Sequence, residues 1–346
     1  MRAGGMISKP LVFIHNKLAG CTGGVVKDFL KNTYRNYIKK TIRCFSPMFD
    51  SSIMLALTYK CQCRCEHCGS NLHERPGSQE LTSPEIFRLI DDFEKAGGWS
   101  IYFFGGEPLI VPELFSYIEY VKRKKMLAKL DTNGFLLDEN MVKRLKASGL
   151  NCISVSIDSP RAASHDKLRG MQGLFDRAMN GVKLCLEHGL DCYITTYATK
   201  ENIVNGDLSE LIGMAKSIGV RVRILSSICS GRWAERRDVV LSGREIGMLR
   251  KLIEKDKVFW EHESVDRESA PFRCAALEKD FFYVSSYGDI QPCCYVPAVF
   301  GNIREQPFYE GVKKMRSSGM FRKNRRLNDC MANSVDAGDA MQADKK

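Results

Sequence analysis

Four cysteines fall within eight residues of this chain, from Cys61 to Cys68. Cys61, Cys65 and Cys68 have the spacing C-x3-C-x2-C, and Cys63 is the fourth. Thiolates are the ligands that soft metals prefer, and a short loop can bring three of them to one iron–sulfur cluster. Because a 4Fe–4S cluster has four irons, three cysteines leave one iron open for a small molecule. The four cysteines could instead hold one zinc ion, so a non-catalytic zinc-binding scaffold is the alternative.

The composition places the chain among reduced, metal-binding proteins. It has 346 residues and 14 cysteines, and no apolar run is long enough for a signal peptide or a transmembrane helix. A cysteine-rich chain without a secretion signal is typical of intracellular metal-binding proteins, so we expect a cytoplasmic location. The net charge of +11 is concentrated in two segments, Val25–Phe45 and Lys313–Arg326. No nucleic-acid motif accompanies these cations, and we expect no nucleic-acid partner.

The segment Val25–Phe45 predicts a basic amphipathic helix within an N-terminal extension, residues 1–48. Apolar residues recur at helical spacing on one face. The cations of another face are Lys27, Lys31, Arg35 and Lys39. Such a helix could cap the main domain with its cations in water. It could also bind an anionic membrane surface, which would make the protein membrane-peripheral.

From residue 53 onward, apolar runs alternate with helical patterns. The predicted strands are Ile53–Tyr59, Trp99–Phe104, Leu127–Asp131, Cys152–Ile157, Cys192–Ala198 and Val220–Leu225. The predicted helices are one beginning at Thr82, then Val111–Lys124, Asp138–Ala147, Leu174–His188, Leu208–Ile218 and a bridging helix Val239–Lys255. Six consecutive βα units predict a parallel sheet, and six strands are too few for a closed eight-stranded barrel. The expected fold class is α/β, a partial (βα)6 TIM-like barrel at residues 49–240.

Polar motifs follow the second and third predicted strands, at the edge where barrel enzymes place their sites. The second strand leads into Gly105-Gly106-Glu107-Pro108. Two glycines allow backbone to approach a ligand closely, and Glu107 or exposed carbonyls could accept hydrogen bonds from an ammonium group. An ordinary Gly-Gly turn is the alternative. The third strand leads into the polar turn that contains Thr132 and Asn133.

The fourth predicted strand also carries polar residues. Alternation puts Ser154, Ser156 and Asp158 on one face, and polar groups inside a barrel are costly unless they meet a ligand or each other. Asp158 could instead cap the following helix. Arg169 lies in the stretch H-D-x-x-R-G that begins at His165, and a guanidinium binds carboxylates bidentately. A structural salt bridge is the alternative for Arg169.

Together these motifs resemble the radical S-adenosylmethionine (SAM) family. Its signature is C-x3-C-x2-C with an aromatic-like residue before the last cysteine, a place that His67 occupies here. The resemblance implies that Cys61, Cys65 and Cys68 hold a 4Fe–4S cluster whose open iron is chelated by SAM. It also implies that an electron cleaves SAM to a 5′-deoxyadenosyl radical, which abstracts hydrogen from a substrate.

The resemblance also implies which residues bind SAM. The GGEP motif would contact the SAM amino group, the T-N-G turn would lie beside the nucleoside, and the fourth strand would reach the ribose or carboxylate. Arg169 would bind the SAM carboxylate. The expected SAM-binding residues are Gly105, Gly106, Glu107, Thr132, Asn133, Ser156, Asp158 and Arg169.

A second cysteine pattern lies in the C-terminal part. Cys274, Gly288 and Cys293 have the spacing C-x13-G-x4-C, and Gly301-Asn302-Ile303 follows. This pattern resembles the SPASM/twitch extension of radical SAM enzymes, which binds auxiliary 4Fe–4S clusters. We assign the module to residues 241–335 and a disordered tail to residues 336–346.

The full SPASM run of cysteines is missing from this chain, and only Cys330 remains. We therefore expect one auxiliary cluster, with Cys274, Cys293 and Cys330 as ligands. Cys294 is a weak candidate for the fourth ligand. An open iron, a ligand from elsewhere and a module without any cluster are the alternatives.

The resulting hypothesis is a radical SAM oxidoreductase or maturase that acts on a peptide or lipid-like substrate. A small electron-donor protein, flavodoxin or ferredoxin, would be its partner. The lipid-like alternative depends on the segment Val25–Phe45, and tetrapyrrole decarboxylation is a third option. A zinc scaffold would contain zinc and would not bind SAM, and it would need neither the GGEP nor the T-N-G motif.

Overall fold

The structure is a computed structural model that describes residues 52–254, 256–262, 274–324, 327 and 329–334. The predicted helix Val25–Phe45 and the predicted disordered tail lie outside the described residues. Among the helices within these ranges, none is long and apolar enough to cross a membrane.

One open, mostly parallel sheet organises the described part of the chain. Its strands are β1 Ser52–Thr58, β2 Ser100–Gly105, β3 Leu127–Thr132, β4 Cys152–Ser156, β5 Cys192–Ala198, β6 Arg221–Ser226, β7 Val258–Trp260, β8 Phe281–Val284 and β9 Ile290–Gln291. Their order across the sheet is β7-β6-β5-β4-β3-β2-β1-β8-β9. Only β8 and β9 pair antiparallel. The predicted fold class, a partial α/β barrel with six parallel βα strands, is confirmed.

Two features at the sheet edges were not predicted. The three-residue strand β7 adds a seventh parallel strand beside β6, and it is too short to show a periodicity. At the other edge, β8 pairs parallel with β1, from Ser52 opposite Phe281 to Leu55 opposite Val284. The C-terminal cysteine motif is therefore attached beside the strand that leads into the first cysteine loop. The domain limits near residues 48, 240 and 335 stay predictions, since one sheet spans the described parts of both units.

The described segments between and after the strands contain eleven α-helices. They are α1 Ser83–Lys95, α2 Leu114–Arg123, α3 Glu139–Ser148, α4 Ala162–Arg169, α5 Leu174–Glu187, α6 Lys200–Val204, α7 Asp207–Ser217, α8 Gly243–Leu252, α9 Phe308–Ser317, α10 Gly319–Lys323 and α11 Met331–Ser334. The start of α1 is as predicted, with Thr82 and Glu85 forming a capping box. The predicted bridging helix is shorter, because Ser242 caps it and it ends at Leu252.

Candidate active site

The predicted site residues meet at a cavity of 620 Å³ at the carboxyl ends of the barrel strands. Both sets of cysteines line it: Cys61, Cys65 and Cys68 from the first loop, and Cys274, Cys293 and Cys330 from the C-terminal part. Six of the predicted SAM-binding residues line it as well, namely Gly105, Gly106, Thr132, Asn133, Ser156 and Arg169. Glu107 and Asp158 do not line the cavity.

The first cysteine loop is held against the end of α4. The backbone N–H of Arg64 donates to the carbonyl of Arg169 (2.9 Å), and the N–H of Glu66 donates to Leu168 (2.8 Å). Cys63 is buried against Leu174, as expected for a packing residue. This backbone pairing brings Arg169, more than a hundred residues along the chain from Cys65, to the side of the loop.

The loop favours thiolates, which are the form that binds iron. A hydrogen bond from Cys63 and then the charge of Arg169 lower the pKa of the Cys65 thiol to about 6, although burial opposes this. A hydrogen bond from Cys63 also lowers the pKa of Cys61. The assignment of Cys61, Cys65 and Cys68 as the ligands, with Cys63 as their neighbour, stays a prediction.

A cluster and a single metal ion require different arrangements of the cysteine sulfurs. Within the residues that the structure describes, no group of three or more His, Cys, Asp or Glu side chains converges tightly enough to hold one ion. A tetrahedral zinc site needs all of its ligands around one centre. A 4Fe–4S cluster binds each cysteine at a different iron, so the sulfurs lie further apart. The three thiols of the first loop line one cavity, as ligands of a shared cluster must.

The glycines of the GGEP motif let the ends of β1 and β2 approach each other. A Cβ atom on Gly106 would lie 2.3 Å from the carbonyl oxygen of Lys60 and 2.6 Å from that of Tyr59. A Cβ atom on Gly105, whose φ is +136°, would lie 2.2 Å from the carbonyl oxygen of Thr58. The N–H of Gly106 donates to Thr58 (2.7 Å), and the N–H of Glu107 donates to Lys60 (3.0 Å). These two glycines therefore position the cysteine loop as well as lining the cavity.

Glu107 is turned into the protein and is fully buried. Its carboxylate accepts hydrogen bonds from Thr132 Oγ1 (2.7 Å), from the N–H of Asn133 (2.8 Å) and from the N–H of Leu109 (3.0 Å). Burial raises its pKa to about 7 in spite of these donors. In this arrangement Glu107 joins the end of β2 to the T-N-G turn, and the backbone of the glycines faces the cavity.

This burial predicts a specific pH dependence of stability. The folded pKa of Glu107, about 7, lies above its ordinary value of 4.5, so the folded state binds more protons between these values. The free energy of unfolding should therefore fall as the pH rises through this window, by an amount on the order of 3 kcal/mol. Chemical denaturation across the pH range should show this slope in the wild type and not in Glu107→Gln. The same change at the exposed Glu119 is the control, and an equal loss of slope in both variants would contradict the assignment.

Asp158 and Arg169 form a buried ion pair beside the cysteine loop, and the His67 ring, whose pKa burial lowers to about 4, lies against it. Asp158 Oδ2 accepts a hydrogen bond from Arg169 Nε (2.6 Å) and lies 3.4 Å from His67 Nε2. Burial alone would raise the pKa of Asp158, but the Arg169 charge lowers it to about 2. The His67 ring packs against Tyr197 and Trp233, with centroids 4.7 and 5.6 Å away. The alternative of a helix cap is wrong, because Asp158 binds Arg169 and α4 has no side-chain cap.

Two buried oxygen atoms near the loop have no hydrogen-bond partner among the residues that the structure describes. They are Asp158 Oδ1 and Gln62 Oε1. An unpaired buried acceptor costs free energy, so such atoms indicate a ligand that donates hydrogen bonds. Neither residue lines the cavity, however. The residues that do line it fit SAM, because the backbone of Gly105 and Gly106 can accept from its ammonium group and the Arg169 guanidinium can bind its carboxylate.

Sequence reasoning missed a charged group on the inner face of the barrel. The Arg223 guanidinium donates to both oxygens of Asp131 (2.9 Å each), to Tyr102 OH (2.8 Å) and to Thr195 Oγ1 (3.0 Å). Tyr193 completes the group through its hydroxyl contact with Tyr102. Arg223, Asp131 and Thr195 line the cavity. The alternation Arg221-Val222-Arg223 in β6 was the available signal, because it places both arginines on the face opposite Val222, and Arg223 lies further inside the strand than Arg221.

The C-terminal cysteines come together from three segments. Cys274 precedes β8, Cys293 follows β9, and Cys330 precedes α11. Burial, and then the nearby Cys274, raise the pKa of Cys293 to about 12. Burial, Cys274 and Cys293 likewise raise the pKa of Cys330. Because these thiols are protonated when free, metal binding there must displace protons.

Comparison with known proteins identifies the class. The sequence model of the radical SAM superfamily matches residues 55–212, and that of an iron–sulfur cluster-binding domain, SPASM, matches residues 274–332. This chain belongs to the radical SAM superfamily and carries a SPASM domain. It is an enzyme, and the expected SAM, 4Fe–4S cluster and auxiliary iron–sulfur binding are confirmed at the level of the family.

Individual relatives differ in what they act on. An AdoMet-dependent heme synthase of Methanosarcina barkeri is 30% identical over 73% of this chain and 79% of its own length. A PqqA peptide cyclase of Granulibacter bethesdensis is 25% identical over 56% of this chain and 51% of its own length. The crystal structure of SuiB from Streptococcus suis bound to SAM covers 88% of this chain and 74% of that one, with 17% identity and a TM-score of 0.63. The structural match supports the fold alone.

Proposed function

We propose that this enzyme reductively cleaves SAM beside the Cys61–Cys68 loop and abstracts hydrogen from a peptide substrate, as an oxidoreductase or maturase. The observation that carries the proposal is that both cysteine sets and six predicted SAM-binding residues share one cavity. When bound there, the cluster and SAM would supply the hydrogen-abstracting 5′-deoxyadenosyl radical by one-electron reduction. The residues of the chain bind and orient these groups and exclude water.

In this proposal Cys61, Cys65 and Cys68 hold the cluster, and the glycines of the GGEP motif receive the SAM ammonium on exposed backbone. Arg169 would bind the SAM carboxylate. Its Nε is engaged by Asp158 and its Nη1 lies 3.9 Å from Cys65 Sγ, which leaves Nη2 available. Asp158 does not line the cavity and acts by fixing the orientation of the guanidinium.

Thr132, Asn133 and Ser156 would line the nucleoside. Asn133 is fixed at three points: its backbone N–H donates to Glu107, and its amide side chain contacts Gln62 Nε2 (3.3 Å) and the N–H of Phe135 (2.9 Å). Ser156 follows the buried Val155 at the end of β4 and lines the cavity. Residues fixed in this way lose little entropy when SAM binds.

The inner face of the barrel suits the reacting part of a peptide. The Asp131 carboxylate and the Arg223 guanidinium form an ion pair, so together they offer a hydrogen-bond acceptor and a hydrogen-bond donor without a net charge. A peptide amide has one N–H donor and one carbonyl acceptor, and it therefore needs both. The cavity of 620 Å³ must also hold SAM and a face of each cluster, so only one residue of a larger substrate can enter.

A tetrapyrrole is the second candidate substrate. It is favoured by the heme synthase relative, which aligns with more of this chain than the peptide cyclase does. Lys60, Arg64 and Arg232 line the cavity and could bind anionic side chains of such a substrate.

A lipid-like substrate and peripheral membrane contact are proposals that depend on Val25–Phe45, outside the described residues. A flavodoxin or ferredoxin as electron donor is likewise proposed.

The test compares the wild type with a variant in which Cys61, Cys65 and Cys68 are all changed to Ala. After anaerobic reconstitution we expect about eight irons in the wild type and about four in the variant. With SAM and dithionite, 5′-deoxyadenosine should form only with the wild type. If the wild type binds about four irons and the triple variant binds none, the auxiliary cluster is contradicted. Zinc without nucleoside in either protein would contradict the enzymatic proposal.

The same assay separates the two candidate substrates. Iron coproporphyrin III serves as the tetrapyrrole probe, and its conversion is followed by mass spectrometry. A peptide enzyme should leave its mass unchanged and should form 5′-deoxyadenosine at the same rate with and without it. A mass change that depends on SAM would instead favour the tetrapyrrole.

A further inference from the structure

The chain between β6 and α8 contacts both groups of cysteines. Residues 229–237, which we call the connecting segment, include a short 3₁₀ turn, Gly231–Trp233. The segment lies outside the barrel motifs and outside the C-x13-G-x4-C pattern. The ring of Trp233 packs against that of His67, which lies between Cys65 and Cys68, with centroids 5.6 Å apart. The turn therefore lies against the first cysteine loop.

The middle of the connecting segment holds the backbone of this loop. The backbone N–H of Arg232 donates to the carbonyl of Cys68 (3.1 Å), and its guanidinium Nη1 donates to the carbonyl of Cys65 (3.0 Å). Gly231, whose φ is +57°, approaches so closely that a Cβ atom there would lie 2.0 Å from the carbonyl oxygen of Cys68. One short turn thus fixes the backbone at two predicted cluster ligands.

The two ends of the connecting segment contact the C-terminal module. Arg237 Nη1 donates to the carbonyl of Asn333 (2.6 Å), and the backbone N–H of Cys229 donates to Asn333 Oδ1 (3.0 Å). The N–H of Asn333 in turn donates to the carbonyl of Cys330 (2.9 Å). The same segment therefore joins the backbone at Cys330 to the first cysteine loop.

We propose that Arg232 is a positioning residue for SAM binding at the first cysteine loop, and that the connecting segment couples this loop to the C-terminal module. The inference rests on the proposed function, because it requires that the loop holds the cluster to which SAM binds. Cys65 and Cys68 would bind different irons, so their spacing helps to orient the cluster. Removing a group that holds metal ligands in place typically lowers affinity or activity by about 10–100-fold.

The charge of SAM allows a positioning role to be separated from a direct electrostatic one. SAM has a net positive charge, because its sulfonium and ammonium groups outweigh its carboxylate. Arg232 lines the cavity, so removing its charge alone should strengthen SAM binding. Removing its hydrogen bond to Cys65 should instead weaken SAM binding, because the loop is less well fixed. The direction of the change therefore identifies the role of Arg232.

The test compares three Arg→Met changes within the connecting segment of the full-length protein, reconstituted with iron and sulfide. Arg232→Met removes the side-chain bond to Cys65, and Arg237→Met removes a bond to the C-terminal module. Arg236→Met is the control, because Arg236 is exposed and pairs with Asp238. Each reduced protein is titrated with SAM, and the electron paramagnetic resonance (EPR) spectrum is recorded on frozen samples. A SAM-dependent change of the spectrum reports the cluster to which SAM binds.

We expect Arg232→Met to raise the SAM concentration that gives half of the spectral change by about 10-fold or more. Arg237→Met should raise this concentration by about 5-fold, and Arg236→Met should leave it unchanged. Because both changes act through one segment, the double variant Arg232→Met with Arg237→Met should not exceed the effect of Arg232→Met alone. Thermal unfolding of the iron-free proteins should be the same for all variants.

Unchanged or stronger SAM binding by Arg232→Met would overturn the positioning role. A lower unfolding temperature of this variant than of Arg236→Met would overturn it as well. An Arg237→Met protein that behaves like Arg236→Met, or effects that multiply in the double variant, would overturn the coupling. A wild type that shows neither a SAM-dependent spectrum nor 5′-deoxyadenosine would contradict the proposed function and this inference together. A wild type that shows both supports the proposed function whatever the variants do.

Discussion

Arg223→Met should lower the free energy of unfolding by about 3–5 kcal/mol, because it leaves the Asp131 carboxylate buried without its partner. The exposed fraction of the two side chains is 9% for Arg223 and 14% for Asp131. The guanidinium also binds Tyr102 and Thr195, so its loss leaves further polar groups on the inner face of the barrel unpaired. Urea denaturation of the purified protein measures the effect.

Arg221 on the same strand is the matched control. Its side chain is 36% exposed, and its Nη2 pairs with the carboxylate of Asp191, which is 54% exposed. Exposed pairs contribute about 0–1 kcal/mol, so Arg221→Met should change stability little. The double change Arg223→Met with Asp131→Leu should recover most of the loss, since a buried pair replaced by apolar residues is often neutral. Equal losses for Arg221→Met and Arg223→Met would refute the assigned role of the inner pair.

Gly106→Ala should lower the rate of 5′-deoxyadenosine formation by about 100-fold or more, because its Cβ would displace the start of the cysteine loop. The new methyl group would collide with the carbonyl oxygens of Lys60 and Tyr59, at 2.3 and 2.6 Å. These are backbone atoms one and two residues before Cys61, and they cannot rotate away as a side chain could. The iron bound by the first loop should fall as well, from about four per chain toward none.

Gly213→Ala provides the control for this change. Gly213 lies inside α7, and nothing lies within 4 Å of the position that its Cβ would take. The added methyl should raise the free energy of unfolding by roughly 0.5–1 kcal/mol, as for glycine in a helix interior. Thermal unfolding and iron analysis on both variants separate a general loss of fold from a local effect. Normal iron and nucleoside formation in Gly106→Ala would show that the close approach of β1 and β2 is dispensable.

The elements that the sequence predicted were those with long, regular patterns. The six barrel strands alternate with amphipathic helices. Each of the six strands was located to within about two residues, as for β5 at Cys192–Ala198. The strand β7 was missed because three residues carry no readable period. The pairing of β8 with β1 was missed because it joins segments more than two hundred residues apart, and no local pattern encodes it.

The candidate site was predicted only in part, because a sequence shows contiguous motifs but not the contacts between distant ones. Cys61, Cys65 and Cys68 follow from spacing within one loop, and the glycines of the GGEP motif follow from a contiguous tetrapeptide. Glu107 was expected at the SAM amino group, but its carboxylate is buried under the T-N-G turn. The direction in which a side chain points at a strand end depends on the donors that neighbouring strands bring to it. The sequence does not show those donors side by side.

The sequence by itself indicated the superfamily, the partial barrel and the two predicted cysteine sets, because motif spacing and the alternation of strands and helices can be read along the chain. Only the tertiary structure decided that both sets line one cavity and that Arg223 lies on the inner face of the barrel. These features depend on contacts between strands and loops far apart in the chain. Such contacts form when the parallel strands and the hairpin of β8 and β9 assemble into a single sheet.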